Sequence, residues 1–420
     1  MPNDEPELVV NPSQRHGFLE GLASEGDSDC RRSYPPVAYD ARGQRKPTAD
    51  YEVICDEVVA EKLQYTFSSI SYYNFLLTAY VIQKFIKTQK HINIISMGTG
   101  EFEYDHDRFE EVLIKGSIAF EYESFLVVYQ VDSQGLMSTL RMSASVNKLV
   151  KTLKHELKWN NPLRGKFVQI LDVNGTHYPV LKKTPNISFS QVILNEQLKS
   201  DIYDNTIYQL KHLEDNNGVI FYGKPGVGKS HICGAITNEA NKDGYTVCYL
   251  TTQTDYSMLN EFIENFIAPC ILIFEDIDSF AESRLSNSSH SLADFLQFIN
   301  GIGEREERII FIATTNYLEK LDEAISNRPM RFNRKFEFKF PDKTEIFQLV
   351  ELYFNKEIAE EYAHLCYDIQ FSGAHIKEIQ RTARLQSKKK SLPLNEVFKE
   401  SFGLVKKNFS TELKPFGFSK

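Results

Sequence analysis

GVIFYGKPGVGKSH, residues 218–231, runs from a short apolar stretch into a glycine-rich turn and then into residues suited to open a helix. Val219–Tyr222 reads as a buried strand. Gly223, Gly228, Lys229 and Ser230 fit the spacing G-x-x-x-x-G-K-[ST], with Gly226 as a further glycine inside the turn. Each position has a physical task. Glycines let the backbone take positive φ and turn its N–H groups toward phosphate oxygens, and a helix starting near Lys229 aims the positive end of its dipole at the same place. The expected phosphate cradle is therefore Gly223, Lys224, Pro225, Gly226, Val227, Gly228, Lys229, Ser230 and His231. Lys229 would reach the β and γ phosphates of ATP, and Ser230 would hold Mg²⁺. A glycine turn arising by chance is the bland alternative, and the strand before it and the helix after it argue against that.

Working outward, four more apolar runs follow at Val247–Leu250, Ile271–Phe274, Ile309–Ala313 and Phe336–Phe338, with helical or loop material between them. Strands alternating with helices imply an α/β domain whose parallel sheet is covered on both faces. Upstream, Ser188–Leu213 reads as a helical lead-in burying Val192, Ile193, Leu194, Leu198, Ile202, Ile207 and Leu210. Downstream of Pro341, helical periods around 346–353, 358–366 and 374–385 suggest a small helical lid.

Residues 51–185 read as a separate α+β unit. A helix is expected at Ser71–Ile86 and strands at Glu111–Ile114, Ser117–Glu123 and Phe125–Val131. A second helix carries Val146, Leu149, Val150, Leu153 and Leu157, and a hairpin joins Phe167–Asp172 to His177–Leu181 across Asn174-Gly175. Residues 1–50 mix Pro, Gly, Ser and charged residues without a period and read as a disordered tail. The division is thus 1–50 tail, 51–185 N-terminal partner-binding domain, 186–341 α/β core and 342–420 lid.

The 420 residues carry a net charge of -9, which disfavours a mainly electrostatic nucleic-acid binder and turns attention to a protein partner. Cys30, Cys55, Cys233, Cys248, Cys270 and Cys366 form no C-x-x-C pair, which points to a reducing, cytoplasmic compartment and to no structural zinc. No signal-peptide pattern opens the chain. Leu63–Gln83 lacks formal charge and is long enough to span a bilayer, but its Ser, Thr, Tyr, Asn and Gln content argues against a membrane span.

Glu275, Asp276 and Asp278 stand at the end of the run Ile271–Phe274. Neighbours at a strand end point to opposite sides, so Glu275 is expected on the metal side and Asp276 on the side that activates water. A solvated acidic strand end is the plain alternative, and the phosphate loop upstream weighs against it. Asn316 ends the run Ile309–Ala313-Thr314-Thr315, where an amide can hold water or feel the γ phosphate. Arg328 and Arg331 precede the last strand. Guanidinium groups there could complete a neighbouring subunit's site, although alone they read as a surface cluster.

In combination, GKPGVGKS, ILIFEDID, ATTN, LDEAISNRPMRFNR and SGAHIKEI resemble, in order and spacing, the AAA ATPase family. Within it, SFSQVILNEQLKSDIYDN and the Glu275-Asp276 order look most like the branch containing the chaperone that translocates the folded Rieske iron–sulfur protein in mitochondria. The resemblance covers roughly 189–379. It implies a doubly wound parallel-sheet ATPase domain with a C-terminal helical lid. It also implies assembly into a homo-oligomeric ring of roughly six or seven copies, with Asn316 as first sensor, Arg328 and Arg331 as interface fingers, and Gly373 with Ala374 near the adenine. This sequence departs in having Met330 where a glycine is usual and no clear transmembrane helix. Between Leu250 and Ile271 the chain is short, with one early aromatic, Tyr256, so it looks poorly equipped to thread an unfolded chain. The expected activity is ATP hydrolysis coupled to remodelling or translocation of a folded protein. The rival is an ATPase acting on nucleic acid through Lys388–Lys390.

Overall fold

The computed structural model describes residues 7–8, 66–69, 75–97, 101–105, 110–123, 125–132, 137–142, 147–173, 176–213, 215–251, 254, 256, 259–278, 295, 297–299, 307–320 and 332–409. The expected N-terminal tail, apart from 7–8, the Asn174-Gly175 turn and the segment with Arg328, Met330 and Arg331 lie outside these residues. The chain divides into two compact units, 1–182 with 253–268, and 183–252 with 269–420.

In the first unit, β1 (Thr66–Ser69), β2 (Ile92–Met97), β3 (Glu101–Asp105), β4 (Glu110–Tyr122), β5 (Phe125–Asp132) and β6 (Met137–Met142) form an antiparallel sheet. Its order is β1-β6-β5-β4-β2, with β3 also on β4. The two strands expected at 111–114 and 117–123 are one. Gly116 takes φ 132° inside it, yet β5 pairs continuously from Lys115↔Asp132 to Tyr122↔Phe125 and carries the strand through the glycine. Helix α1 (Phe75–Thr88) buries Leu77, Ala79, Val81, Ile82 and Phe85. Buried Gln83, the last residue of this uncharged run, donates to Leu113 O (2.7 Å) and accepts from Leu113 N (2.8 Å). At 14 residues the helix is well short of the ~20 a bilayer requires, and among the described residues no helix is long and apolar enough to cross a membrane.

Helix α2 (Asn147–Trp159) and the hairpin of β7 (Phe167–Val173) and β8 (Thr176–Lys182) complete this unit with 253–268. The turn after α2 holds that inserted segment: Asn161 Nδ2 donates to Phe266 O (2.8 Å), and Arg164 donates to Ile267 O (2.8 Å) and to Ala268 O.

The second unit has a parallel core of β9 (Asn217–Tyr222), β10 (Thr246–Leu250), β11 (Cys270–Phe274), β12 (Ile309–Thr315) and β13 (Arg334–Glu337). Its order is β10-β11-β12-β9-β13 with every neighbouring pair parallel. β11 and β12 are buried along their whole length, as expected for central strands covered on both faces. Their crossovers bring all the C-terminal strand ends to one edge, where α/β sheets place their ligands.

The lead-in departs from the expected continuous helix. Phe189–Gln191 forms a 3₁₀ turn, Val192 is extended and Ile193–Leu194 is irregular, and α3 (Glu196–Tyr203) begins only after Asn195, whose side chain accepts from the N–H groups of Gln197 and Leu198. A π-turn at Asp204–Tyr208 leads into α4 (Gln209–His212). α5 (Lys229–Lys242) follows the glycine turn. The lid is a bundle of α6 (Lys343–Tyr353), α7 (Lys356–Asp368), α8 (Gly373–Lys390) and α9 (Leu394–Phe409), the last not anticipated. Ile346, Val350, Tyr362, Phe371, Ile376, Ile379 and Phe398 form its core.

Candidate functional site

The glycine turn lies at the C-terminal ends of β9 and β12. Gly223 (φ 147°) is required twice over: its conformation is closed to other residues, and a Cβ would sit 2.1 Å from Phe338 O. Gly226 (φ 79°) packs under the lid, where a Cβ would meet Ser372 Oγ at 2.6 Å and Ala374 Cβ at 2.9 Å. β12 fixes both sides of the site. Gly223 N donates to Thr315 O (3.3 Å), Ile277 N to Thr314 O (2.9 Å) and Asp276 N to Thr314 Oγ1 (2.9 Å). The last bond helps hold Asp276 at φ 53°, a left-handed conformation that an aspartate adopts more readily than most residues.

Lys229 opens α5 and is buried. Its Nζ donates to Gly223 O (2.6 Å), Lys224 O (3.1 Å) and Asn316 Oδ1 (2.9 Å). Burial lowers its proton affinity from the ordinary 10.5, while Asp276, Asp278 and Glu275 pull it back up. Asn316 Nδ2 donates in turn to Asp276 Oδ1 (3.4 Å), so lysine, amide and acid form one chain. Asp278 Oδ1 is buried with no hydrogen-bond partner.

The two acids take different surroundings. Asp276 lines the cavity, whereas Glu275 is turned toward β10, where Tyr249 Oη donates to Glu275 Oε2 (3.4 Å). Burial first, then the charges of Glu275 and Asp276, push the Tyr249 phenol up to about 12.

The cavity has a volume of about 910 Å³. Its floor is Pro225–His231 with Asp276 and Asn316. Its roof is the lead-in, through Val192, Ile193, Leu194 and Leu198, and the lid, through Leu349, Leu352, Tyr353, Gly373, Ala374 and Lys377. Of the lead-in residues expected in the core, Val192, Ile202, Ile207 and Leu210 are buried, while Ile193, Leu194 and Leu198 form cavity wall. α8 meets the glycine turn directly, Ala374 N donating to Gly226 O (3.3 Å). His231 has its proton affinity lowered by burial and by the Lys377 ammonium. An apolar roof, a basic floor and a helix N-terminus suit a nucleotide lying with its base at the lead-in and its phosphates at Lys229. The donors beside Lys229, the Ser230 hydroxyl and the carboxylates of Glu275 and Asp276, are hard oxygens that fit Mg²⁺. Among the described residues no cluster of three His, Cys, Asp or Glu could hold a metal by itself. An Mg²⁺ here would therefore be shared with phosphate oxygens and water.

The structure brings the loop, Asp276, Asn316, Gly373 and Ala374 around one cavity and places Glu275 just beyond it. Arg328 and Arg331 lie outside the described residues. The sequence reading missed Tyr249, Lys377 and the tethering role of Thr314. The alignment of β10, β11 and β12 reveals Tyr249 and Thr314, because no local pattern marks a strand residue as the neighbour of an acid, and the seating of α8 on the glycine turn reveals Lys377.

Residues 219–340 match the family model "ATPase family associated with various cellular activities (AAA)". Residues 139–264 match that of "IstB-like ATP binding protein". Residues 219–340 thus carry the pattern of an AAA ATPase domain. Relatives of the chain include the probable mitochondrial chaperone BCS1-A of Dictyostelium discoideum, 29% identical over 45% of this chain and 50% of that protein. Another is the cell division cycle protein 48 homolog of Archaeoglobus fulgidus, 26% identical over 51% of this chain and 32% of that protein. A third, the mouse ATPase family AAA domain-containing protein 2, is 26% identical over 50% of this chain and 22% of that protein. The chain thus spans half or less of the length of each.

Proposed function

We propose that this protein binds Mg·ATP in the cavity of its second unit and hydrolyses it as a homo-oligomeric ring that remodels or translocates a folded protein. The observation that carries the reading is the chain Lys229–Asn316–Asp276, which places a cation, an amide and a carboxylate together beside a helix N-terminus. Lys229 and the loop N–H groups bind the phosphates. Ser230 and Glu275 hold Mg²⁺, which when bound neutralises charge on the phosphoryl oxygens. Asp276, with Asn316 donating to it, accepts the proton of the attacking water. Gly373 and Ala374 close over the base, and Arg328 and Arg331 of an adjacent copy complete the site.

A folded client is supported by Tyr256, the one early aromatic between β10 and β11, which is buried and so not presented for gripping an extended chain. Likeness over half the length of a probable mitochondrial chaperone supports a protein client. The nucleic-acid rival rests on Lys388–Lys390, and these have a structural explanation. They occupy the last turn of α8, where cations complement the helix dipole, and Lys390 pairs with Glu400. The buried free thiols Cys233, Cys248, Cys270 and Cys366 accord with a reducing compartment.

The test is Asp276→Asn. ATP affinity should stay within about threefold of wild type while turnover falls by about 10² to 10³. Electron micrographs with ATP should show closed rings. Wild-type turnover in the variant would move the activating role elsewhere, and a monomer hydrolysing at full rate would exclude the ring.

A further inference from the structure

β11 is flanked by β10 on one side and β12 on the other, and each neighbour sends one side-chain oxygen to one of the two acids that end it. From β12, Thr314 Oγ1 accepts from Asp276 N at 2.9 Å. From β10, Tyr249 Oη donates to Glu275 Oε2 at 3.4 Å. The parallel register sets Tyr249 beside Ile273 and Leu250 beside Phe274, so Glu275 is the first residue past the paired strand. Nothing in the sheet ladder fixes its side chain there. We infer that Tyr249 is a positioning residue for Glu275, holding one carboxylate oxygen through its hydroxyl and so limiting the orientations from which the carboxylate would serve a bound Mg²⁺.

Three observations support this. A glutamate stem has three rotatable bonds, so a carboxylate without a tether samples many orientations and is costly to hold in one. The phenol ring could pack equally well as phenylalanine, so what the hydroxyl adds is a hydrogen bond, and Glu275 is the acid it meets. Outer contacts of this kind commonly set the affinity of a carboxylate site for its metal. The inference rests on the proposed assignment of Glu275 to the Mg²⁺ side.

The experiment compares Tyr249→Phe, Glu275→Gln and the double variant as full-length proteins. Direct binding of a fluorescent ATP analogue is titrated with Mg²⁺ and repeated in EDTA, beside steady-state hydrolysis. Tyr249→Phe should raise the Mg²⁺ concentration for half-maximal tight binding about tenfold. It should leave metal-free binding unchanged, and turnover should recover most of its loss at saturating Mg²⁺. In the Glu275→Gln background the same substitution should add nothing, because the carboxylate it orients is gone. An unchanged Mg²⁺ dependence in Tyr249→Phe, with Glu275→Gln shifted, overturns the positioning role alone. An equal loss of metal-free binding shows a structural effect and also overturns it. If Glu275→Gln itself leaves the Mg²⁺ dependence unmoved, the metal-side assignment fails and the inference with it.

Discussion

The floor and the roof of the cavity in the second unit are built by different means. The floor is stitched by short-range bonds between neighbouring strand ends: Gly223 to Thr315, Asp276 and Ile277 to Thr314, and Lys229 to Gly223, Lys224 and Asn316. The roof is made of apolar side chains from the lead-in and the lid. It meets the floor through Ala374 N, which donates to Gly226 O. A rigid floor suits groups that must meet a phosphoryl oxygen within tenths of an ångström. A roof held by packing can part and close with nucleotide at low energetic cost, and lids of this kind gate turnover.

The largest expected effect comes from cutting the centre of the floor. Lys229→Ala removes three hydrogen bonds and the one buried ammonium among the described residues at the loop. ATP affinity should fall at least about 100-fold, in keeping with loss of a charge-assisted contact to phosphate. Calorimetric titration measures this, and turnover should drop below detection. Retained tight binding would mean that the floor is not where phosphates sit.

A sharper comparison uses the same chemical change at two glycines three residues apart. Gly223→Ala drives a methyl into the carbonyl of Phe338 and forces a positive φ on alanine. It should destabilise the whole unit by about 1–3 kcal/mol, visible as a lower midpoint of chemical unfolding. Gly226→Ala also strains φ, but its methyl meets the Ser372 hydroxyl and the Ala374 methyl, both on the lid. Because the lid can yield, the expected loss of stability is smaller, and nucleotide affinity should instead fall about tenfold, as for a roof that no longer seats. Equal unfolding midpoints for the two variants would erase the distinction between floor and roof.

The floor was also the legible part of the chain. Gly223–Ser230 declares itself because phosphate binding restricts residue type at consecutive positions, Glu275-Asp276 because it directly follows an apolar run, and Asn316 because it closes the strand that runs from Ile309–Ala313 through Thr314-Thr315. The parallel sheet followed from those runs, with strand limits moved by one or two residues. The roof was harder to read. Ile193, Leu194 and Leu198 share helical spacing with true core residues, and spacing does not distinguish a wall facing an empty cavity from one facing packed protein. Gly116 was read as a break between two strands because local propensity outweighs a pairing partner that lies far along the sequence. Tyr249 carried no signal at all, since its partner belongs to the next strand. The separate N-terminal domain was expected as one contiguous stretch. Residues 253–268 pack with it because Asn161 and Arg164 bond carbonyls about a hundred positions downstream.

The smallest effect concerns the roof's dependence on pH. Glu345 sits in the first turn of α6, accepting from Asp342 N at 2.8 Å, and the Asn195 N–H of the lead-in favours its charged form. Burial raises its pKa above the ordinary 4.5, with a further push from the Asp342 charge, and the two N–H bonds only partly reverse this. A raised folded pKa means that the native state holds the proton more tightly than the unfolded chain does. Its contribution to stability is therefore fully present below 4.5 and is lost as pH climbs through the raised value. Glu345→Gln keeps an acceptor for the helix N-terminus but does not titrate. The difference in melting temperature, variant minus wild type, should grow as pH rises from below 4.5 through that window and then level off. A flat difference for Glu345→Gln would mean that the carboxylate is solvated in the native state.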